Sequence, residues 1–142
     1  MRAIDFYGLP NFTYAEIVLH YRNKGFTFSQ AQREVGRLKK SFFIKLQKVR
    51  TQIDRPIKIN CLTEGRHGRG SFHYLAMAGD WRVGGKGRVN YNKVLQACID
   101  AGFKGIGWYP HWKPGGGFHT DIRSGGIKLW LRGSRGIYRG LI

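Results

Sequence analysis

Residues 71–81 read SFHYLAMAGDW. His73 and Asp80 stand seven apart in a run otherwise made of apolar and small residues. Its last part, continued as AGDWRV (78–83), reads as a strand, and GGKGR (84–88) as the turn that follows. Spacing leaves two readings open. One is a hydrogen-bonded core imidazole and a turn aspartate, the commoner arrangement. The other is two ligands of one metal ion, since imidazole and carboxylate are both zinc donors.

Working outward, IKINCL (57–62) alternates and predicts a strand, with EGRHGRG (64–70) as a loop. Asn90 predicts a helix cap over Tyr91–Ala101, and Gly102 a helix end. GIGWY (105–109), FHTDI (118–122) and IKLWL (127–131) predict three more strands. Before them, apolar residues at Phe28, Ala31, Val35, Leu38, Phe42, Leu46, Val49 and Ile53 predict one helix from about Ser29 to Ile53. Thr27 with Gln30, or Ser29 with Gln32, offers a capping box. Ala15–Tyr21 predicts a short helix, and the first dozen residues an extended lead-in. Helices first and short strands later, without a βαβ rhythm, predict an α+β fold with a mostly antiparallel sheet. One domain, 1–142, is expected, with a mobile basic tail over 132–142.

Composition narrows the partners. Lys and Arg number 25 against 8 acids, a formal charge of +17, so the chain adheres to polyanions. Arg33, Arg37, Lys39, Lys40, Lys45, Lys48 and Arg50 fall on the polar face of the long helix. They read as a solvated basic face or as a surface for anionic envelope polymers. Nucleic acid is the second choice of partner, supported by 9 Phe, 7 Tyr and 4 Trp that can stack on bases. No run approaches the length of a transmembrane span, and MRAIDFYGLPNF lacks the apolar core of a secretory signal. A cytoplasmic product is therefore expected. Cys61 and Cys98 read as small core residues.

The histidines are His20, His67, His73, His111 and His119. Carboxylates are scarce, which draws attention to those near a histidine: His73…Asp80 and His119-Thr-Asp121. Two imidazoles and one carboxylate, from His73, Asp80 and His119, suit a tetrahedral zinc ion with an open fourth position.

These residues resemble a known family, the zinc D-Ala-D-Ala peptidases, which include D-alanyl-D-alanine carboxypeptidases, murein endopeptidases and phage endolysins. The family motif Ser-x-His-x-x-Gly-x-Ala-x-Asp is matched by Ser71, His73, Ala78 and Asp80, with Ala76 in the glycine's place. A second motif, roughly Gly-(Ile/Val)-Gly-Tyr-Tyr-Pro followed after a gap by Phe-x-His-x-Asp, is met by GIGWYP (105–110) and by Phe118, His119 and Asp121, the phenylalanine shifted by one place. NFTYAEI (11–17) and LQKVRTQIDRPIKIN (46–60) also resemble family segments, so the likeness spans most of 11–123.

The resemblance implies a zinc site on the sheet, with His73, Asp80 and His119 as ligands. It implies hydrolysis of stem or cross-link peptides of peptidoglycan; compactness, the lack of a signal and the high charge then predict a monomer of the phage-lysin type, acting at the cell wall after release. It leaves gaps. The family's acid three residues before the last ligand is Gly116 here, and the extra histidine of a His-x-His branch is Gly117. Asp121 is then the nearest acid, as base or as orienting group, and His111 a second acid–base group. Arg66, or Arg69, stands for the substrate-binding arginine, Ser71 near the substrate, and Glu64 as an alternative acid. Trp108, Tyr109 and Trp112 are either groove lining or core. The competing readings are a nucleic-acid-binding protein and a catalytically dead wall-binding module on the same scaffold.

Overall fold

The computed structural model describes residues 1–112, 115–133 and 138–140. The fold is α+β. A short 3-10 turn, Ala3–Phe6, leads into α1 (Tyr14–Asn23), α2 (Phe28–Arg37) and α3 (Lys40–Ile53). Then come β1 (Ile57–Cys61), β2 (Ala78–Val83), α4 (Tyr91–Ala101), β3 (Gly105–Tyr109), β4 (Gly117–Asp121), β5 (Lys128–Arg132) and β6 (Tyr138–Gly140).

Three local expectations change. The lead-in is not extended: Met1, Phe6, Leu9 and Phe12 are buried in the core and curl the segment over α3, where Phe6 and Phe12 pack on Phe43. The long helix is two helices. Leu38 takes an extended backbone (ψ 144°) between α2 and α3 while its side chain stays in the core. The Met1 ammonium donates to the carbonyls of Val35, Gly36 and Leu38 at 2.9, 2.9 and 3.1 Å. It satisfies groups that a continuous helix would have bonded internally. The apolar stripe runs through the break, which is why periodicity could not show it. Of the expected tail, 134–137, 141 and 142 lie outside the described residues, and Tyr138–Gly140 pair with β5.

The strand order is β1-β2-β4-β3-β5-β6. The sheet is mixed, which corrects the mostly antiparallel sheet expected. β2 pairs antiparallel with β1 and β4, β4 antiparallel with β3, and β3 parallel with β5. The cause is edge occupancy. β4 already has β2 and β3 on its two sides, so the chain leaving it reaches the free edge of β3 and runs parallel to it.

The two faces of the sheet are chemically distinct, as period-2 alternation requires. Trp81, Ile106 and Phe118 point into the core shared with the helices, and Trp81 Nε1 donates to Thr120 Oγ1 at 2.9 Å. A Cβ at Gly79 would lie 2.7 Å from the Phe42 ring, so α3 packs directly on β2. The alternate residues, Asp80, His119, Asp121, Gly105, Gly107 and Trp130, occupy the other face. Glycine is required at 105 and 107, because a Cβ would run into the Asp121 carboxylate and the Trp130 indole respectively. Arg33, Arg37, Lys39, Lys40 and Lys48 are exposed on α2 and α3. No helix among the described residues is long and apolar enough to cross a membrane.

Candidate metal centre

β2 and β4 place Asp80 and His119 directly opposite each other. His73 arrives from the tight segment 71–77, where Ser71 Oγ accepts the His73 N–H at 3.2 Å and the Ala76 N–H bonds the His73 carbonyl at 3.0 Å. Ala76 closes this turn at φ 57°, a left-handed conformation that costs an L-residue roughly 1–2 kcal/mol. This is the position where the family motif has glycine. Ala76→Gly should therefore raise stability by up to about 1 kcal/mol, after the extra unfolded-state entropy of glycine is subtracted. A urea midpoint that does not rise would contradict the strain.

Three donor atoms converge. His73 Nε2 lies 3.1 Å from Asp80 Oδ1, His119 Nδ1 lies 3.0 Å from the same oxygen, and the two nitrogens are 3.2 Å apart. The outer nitrogens fix the tautomers. His73 Nδ1 meets the Leu62 carbonyl at 2.5 Å, so it carries the proton and donates. His119 Nε2 meets Asp121 Oδ2 at 2.7 Å and likewise donates. In the neutral rings both inner nitrogens are then lone pairs, facing each other and a carboxylate oxygen with no proton to share. Such an arrangement calls for a proton or a cation between the three atoms. Ligand atoms held tetrahedrally at zinc distances of about 2.0–2.1 Å stand roughly 3.3 Å apart, close to the observed triangle. Carbonyl and carboxylate partners on the outer nitrogens are the usual support of metal-binding histidines.

The titration pattern agrees. Burial pulls His119 down, but its hydrogen bonds to Asp121 and Asp80 outweigh this and raise it above the usual imidazole range. Burial would raise Asp80; the bonds from His119 and His73 hold it at about 2. Asp121 stays well below the ordinary carboxylate range despite burial, because Arg123 grips both its oxygens at 2.7 Å and His119 takes one.

The trio opens into a cleft of about 610 Å³. Ser71 and Arg66 line it, with Arg69, Arg123, Arg132, Tyr109, Trp112 and Trp130. Tyr109 stacks on Trp112 at 4.2 Å and its hydroxyl accepts from Trp130 Nε1 at 3.0 Å. Trp108 instead packs against Tyr91 on the core side.

Other expected residues fall elsewhere. The Asp121 side chain is fully buried and committed to His119 and Arg123, so it orients the His119 ring and is shut off from the cleft. His111 does not line the cleft; its Nδ1 bonds the Arg132 carbonyl at 3.2 Å. Gly116 sits at φ 87° beside Pro110, a backbone conformation that strains any L side chain, an acid included.

Glu64 is also turned away, bonded to His20 at 2.5 Å and to the Leu62 N–H at 2.7 Å. Burial raises its pKa, but the bonds from His20 and Leu62 prevail and lower it below the ordinary 4.5. A lowered carboxyl stabilises the fold above its unfolded value and loses that contribution as pH falls through the folded one. The stability gap between wild type and Glu64→Gln should therefore close below pH 4.5. A gap in urea midpoint that is constant with pH would disprove the coupling.

Two residues at the site escaped the sequence reading. Cys61, expected in the core, lines the cleft, and His67 stacks on His73 with ring centroids 3.9 Å apart and a 5° tilt. In IKINC, simple alternation puts Cys61 with the inward Ile57 and Ile59. An irregularity between Ile59 and Cys61 shifts the register so that Cys61 stands opposite Asp80, on the site face. Burial, with Glu64 and Asp80 nearby, pushes the thiol up to about 12. Cys98 is in the core as expected, and both cysteines are free. One ligand atom from each of Cys61, His67, His73 and Asp80 lies within 4.8 Å of every other, so this cluster could hold a metal ion. The even steps Cys61, His67, His73 were the signal available in sequence.

Compared with protein-family models, curated proteins and solved structures, the chain matches none.

Proposed function

We propose that the chain is a zinc-dependent peptidase that hydrolyses peptide bonds of peptidoglycan. One observation carries the metal half of this reading: two histidine lone pairs and a carboxylate oxygen meet within 3.0–3.2 Å, with both outer nitrogens already satisfied. His73, Asp80 and His119 would hold the ion. When bound, zinc polarises a carbonyl and makes water a nucleophile near neutral pH. Three protein ligands, rather than four, are the pattern of catalytic zinc.

The chain's own residues then have distinct duties. Asp121, clamped by Arg123, keeps His119 in the tautomer that presents Nδ1. The Leu62 carbonyl does the same for His73. Arg66, Arg69 and Arg132 give the cleft a positive lining suited to the free carboxylates of stem peptides. Tyr109, Trp112 and Trp130 offer flat apolar surface. With Asp121 and Glu64 committed elsewhere, His67 is the group we assign to take the proton. It lines the cleft, and its Nε2–H donates to the Glu64 carbonyl at 2.8 Å, which leaves Nδ1 as an acceptor. The exposed basic helices concentrate the protein on anionic envelope polymers.

The test is purified peptidoglycan incubated with chain of measured zinc content. New amines and released peptides are expected, lost on chelation and restored by zinc. Zinc-loaded chain that leaves the wall intact would support the wall-binding module instead. Tight nucleic-acid binding with a steep salt dependence and no bound metal would support the nucleic-acid reading.

A further inference from the structure

The edge formed by His73 and Asp80 belongs to two donor sets. His119 completes one. Cys61 and His67 complete the other, and no donor in that second set is more than 4.8 Å from the rest. It consists of two close pairs, His73 Nε2 with Asp80 Oδ1 at 3.1 Å and Cys61 Sγ with His67 Nε2 at 3.4 Å. Donors of a tetrahedral site with metal–sulfur bonds of about 2.3 Å and metal–nitrogen bonds of about 2.0 Å are separated by roughly 3.3–3.6 Å. Each pair already has the span of one tetrahedron edge; closing the seat requires the His67 ring to turn out of its stack on His73, and Nε2 to leave the Glu64 carbonyl and pass its proton to Nδ1. His67 is carried by the 64–70 loop, whose glycines at 65, 68 and 70 stand in open space, those at 65 and 70 at positive φ. Cys61 is aimed at the cleft by a register shift in β1, a local irregularity that a purely structural cysteine does not require.

We infer that Cys61, His67, His73 and Asp80 form a second, closed seat for a single thiophilic divalent cation, alternative to the open seat of His73, Asp80 and His119. Because His73 and Asp80 are common to both, one ion occupies one seat at a time. The closed seat supplies four protein ligands, the pattern of non-catalytic zinc, and leaves no position for water or substrate. It also takes His67 away from the cleft. An ion there silences whatever the open seat does, and ions that favour thiolate favour this state. Binding releases the Cys61 proton. The seat follows from the donors alone and does not depend on peptidoglycan being the substrate.

Cobalt(II) reports it directly, through the intense near-ultraviolet charge-transfer band of a thiolate ligand. Titrating metal-free wild type should produce that band, saturating at one ion per chain. Cys61→Ser should abolish it while retaining the visible bands of cobalt on nitrogen and oxygen donors. His119→Ala should keep it, since His119 is not in the closed set. Should Cys61→Ser fold poorly, thiol labelling of the wild type gives the same answer. Cys98 is fully buried, so a hydrophilic disulfide reagent reports Cys61, and cadmium should block that labelling. Overturning results are a wild type without the charge-transfer band, a band that needs a second equivalent, or labelling unaffected by cadmium. Peptidoglycan digestion with no thiolate band would refute the closed seat and leave the peptidase reading intact. The band without digestion would do the reverse.

Discussion

His73→Ala should strip the chain of stoichiometric zinc and bring peptidoglycan cleavage to background. His73 belongs to both donor sets, so no alternative seat rescues the ion. The loss should exceed the 10–100-fold typical of removing an outer-shell partner, because a ligand itself is gone. The change also leaves the Leu62 carbonyl, held at 2.5 Å, without its donor inside a buried site, which costs about 1–3 kcal/mol. Asp80→Asn is therefore the companion variant. It keeps the shape and removes the charge that offsets a divalent ion. Metal content by atomic emission and peptide release from purified wall are the two readings. Zinc and cleavage that both survive either substitution would remove His73 and Asp80 from the centre.

Asp121→Asn should lower cleavage by about 10–100-fold with the fold retained. The carboxylate can only accept, so it forces His119 Nε2 to carry the proton and frees Nδ1 for the metal. An amide in its place can present its N–H₂ to Nε2, which moves the ring proton to Nδ1, into the space the ion needs. The same change removes the partner of Arg123, whose guanidinium makes two bonds of 2.7 Å to Asp121 and lies 4.6 Å from the Phe72 ring. A chelator competition assay should show weaker zinc retention in the open seat. That readout is best taken with Cys61→Ser as background, so that the closed seat does not hold the ion. Unchanged cleavage would mean that Asp121 does not set the tautomer. Because its side chain is sealed from solvent, a direct proton-transfer role is not an alternative explanation.

Much of the centre was legible before any coordinates. His73, Asp80 and His119 were selected on spacing, acid scarcity and a family resemblance, and the fold brings their donor atoms within 3.0–3.2 Å. Ser71 and Arg66 were placed near the site and line its cleft. Of the two roles read for Asp121, base or orienting group, the contacts it makes belong to the second. Asp121 was adjacent in sequence and on the correct face, but the bidentate grip of Arg123 decides its duty, and no pattern in the chain announced that pairing. Glu64 was lost to His20, forty-four residues earlier, for the same reason.

The sequence by itself determined most of the elements, because these are written in local chemistry. Thr13, Thr27 and Asn90 cap their helices through their own side chains, Gly102 ends α4 in the left-handed region, and alternation marks the strands. It also determined the strong positive charge and the identities of the converging side chains. Only the tertiary structure decided the break at Leu38, which depends on an amine thirty-seven residues away. It alone decided the parallel pairing of β5 with β3, which depends on which strand edge is free. It alone turned Cys61 to the cleft, through a register shift that reverses the alternation read from the chain. Patterns along a sequence record which face a residue prefers. They do not record which edges, carbonyls and charges other segments have already taken.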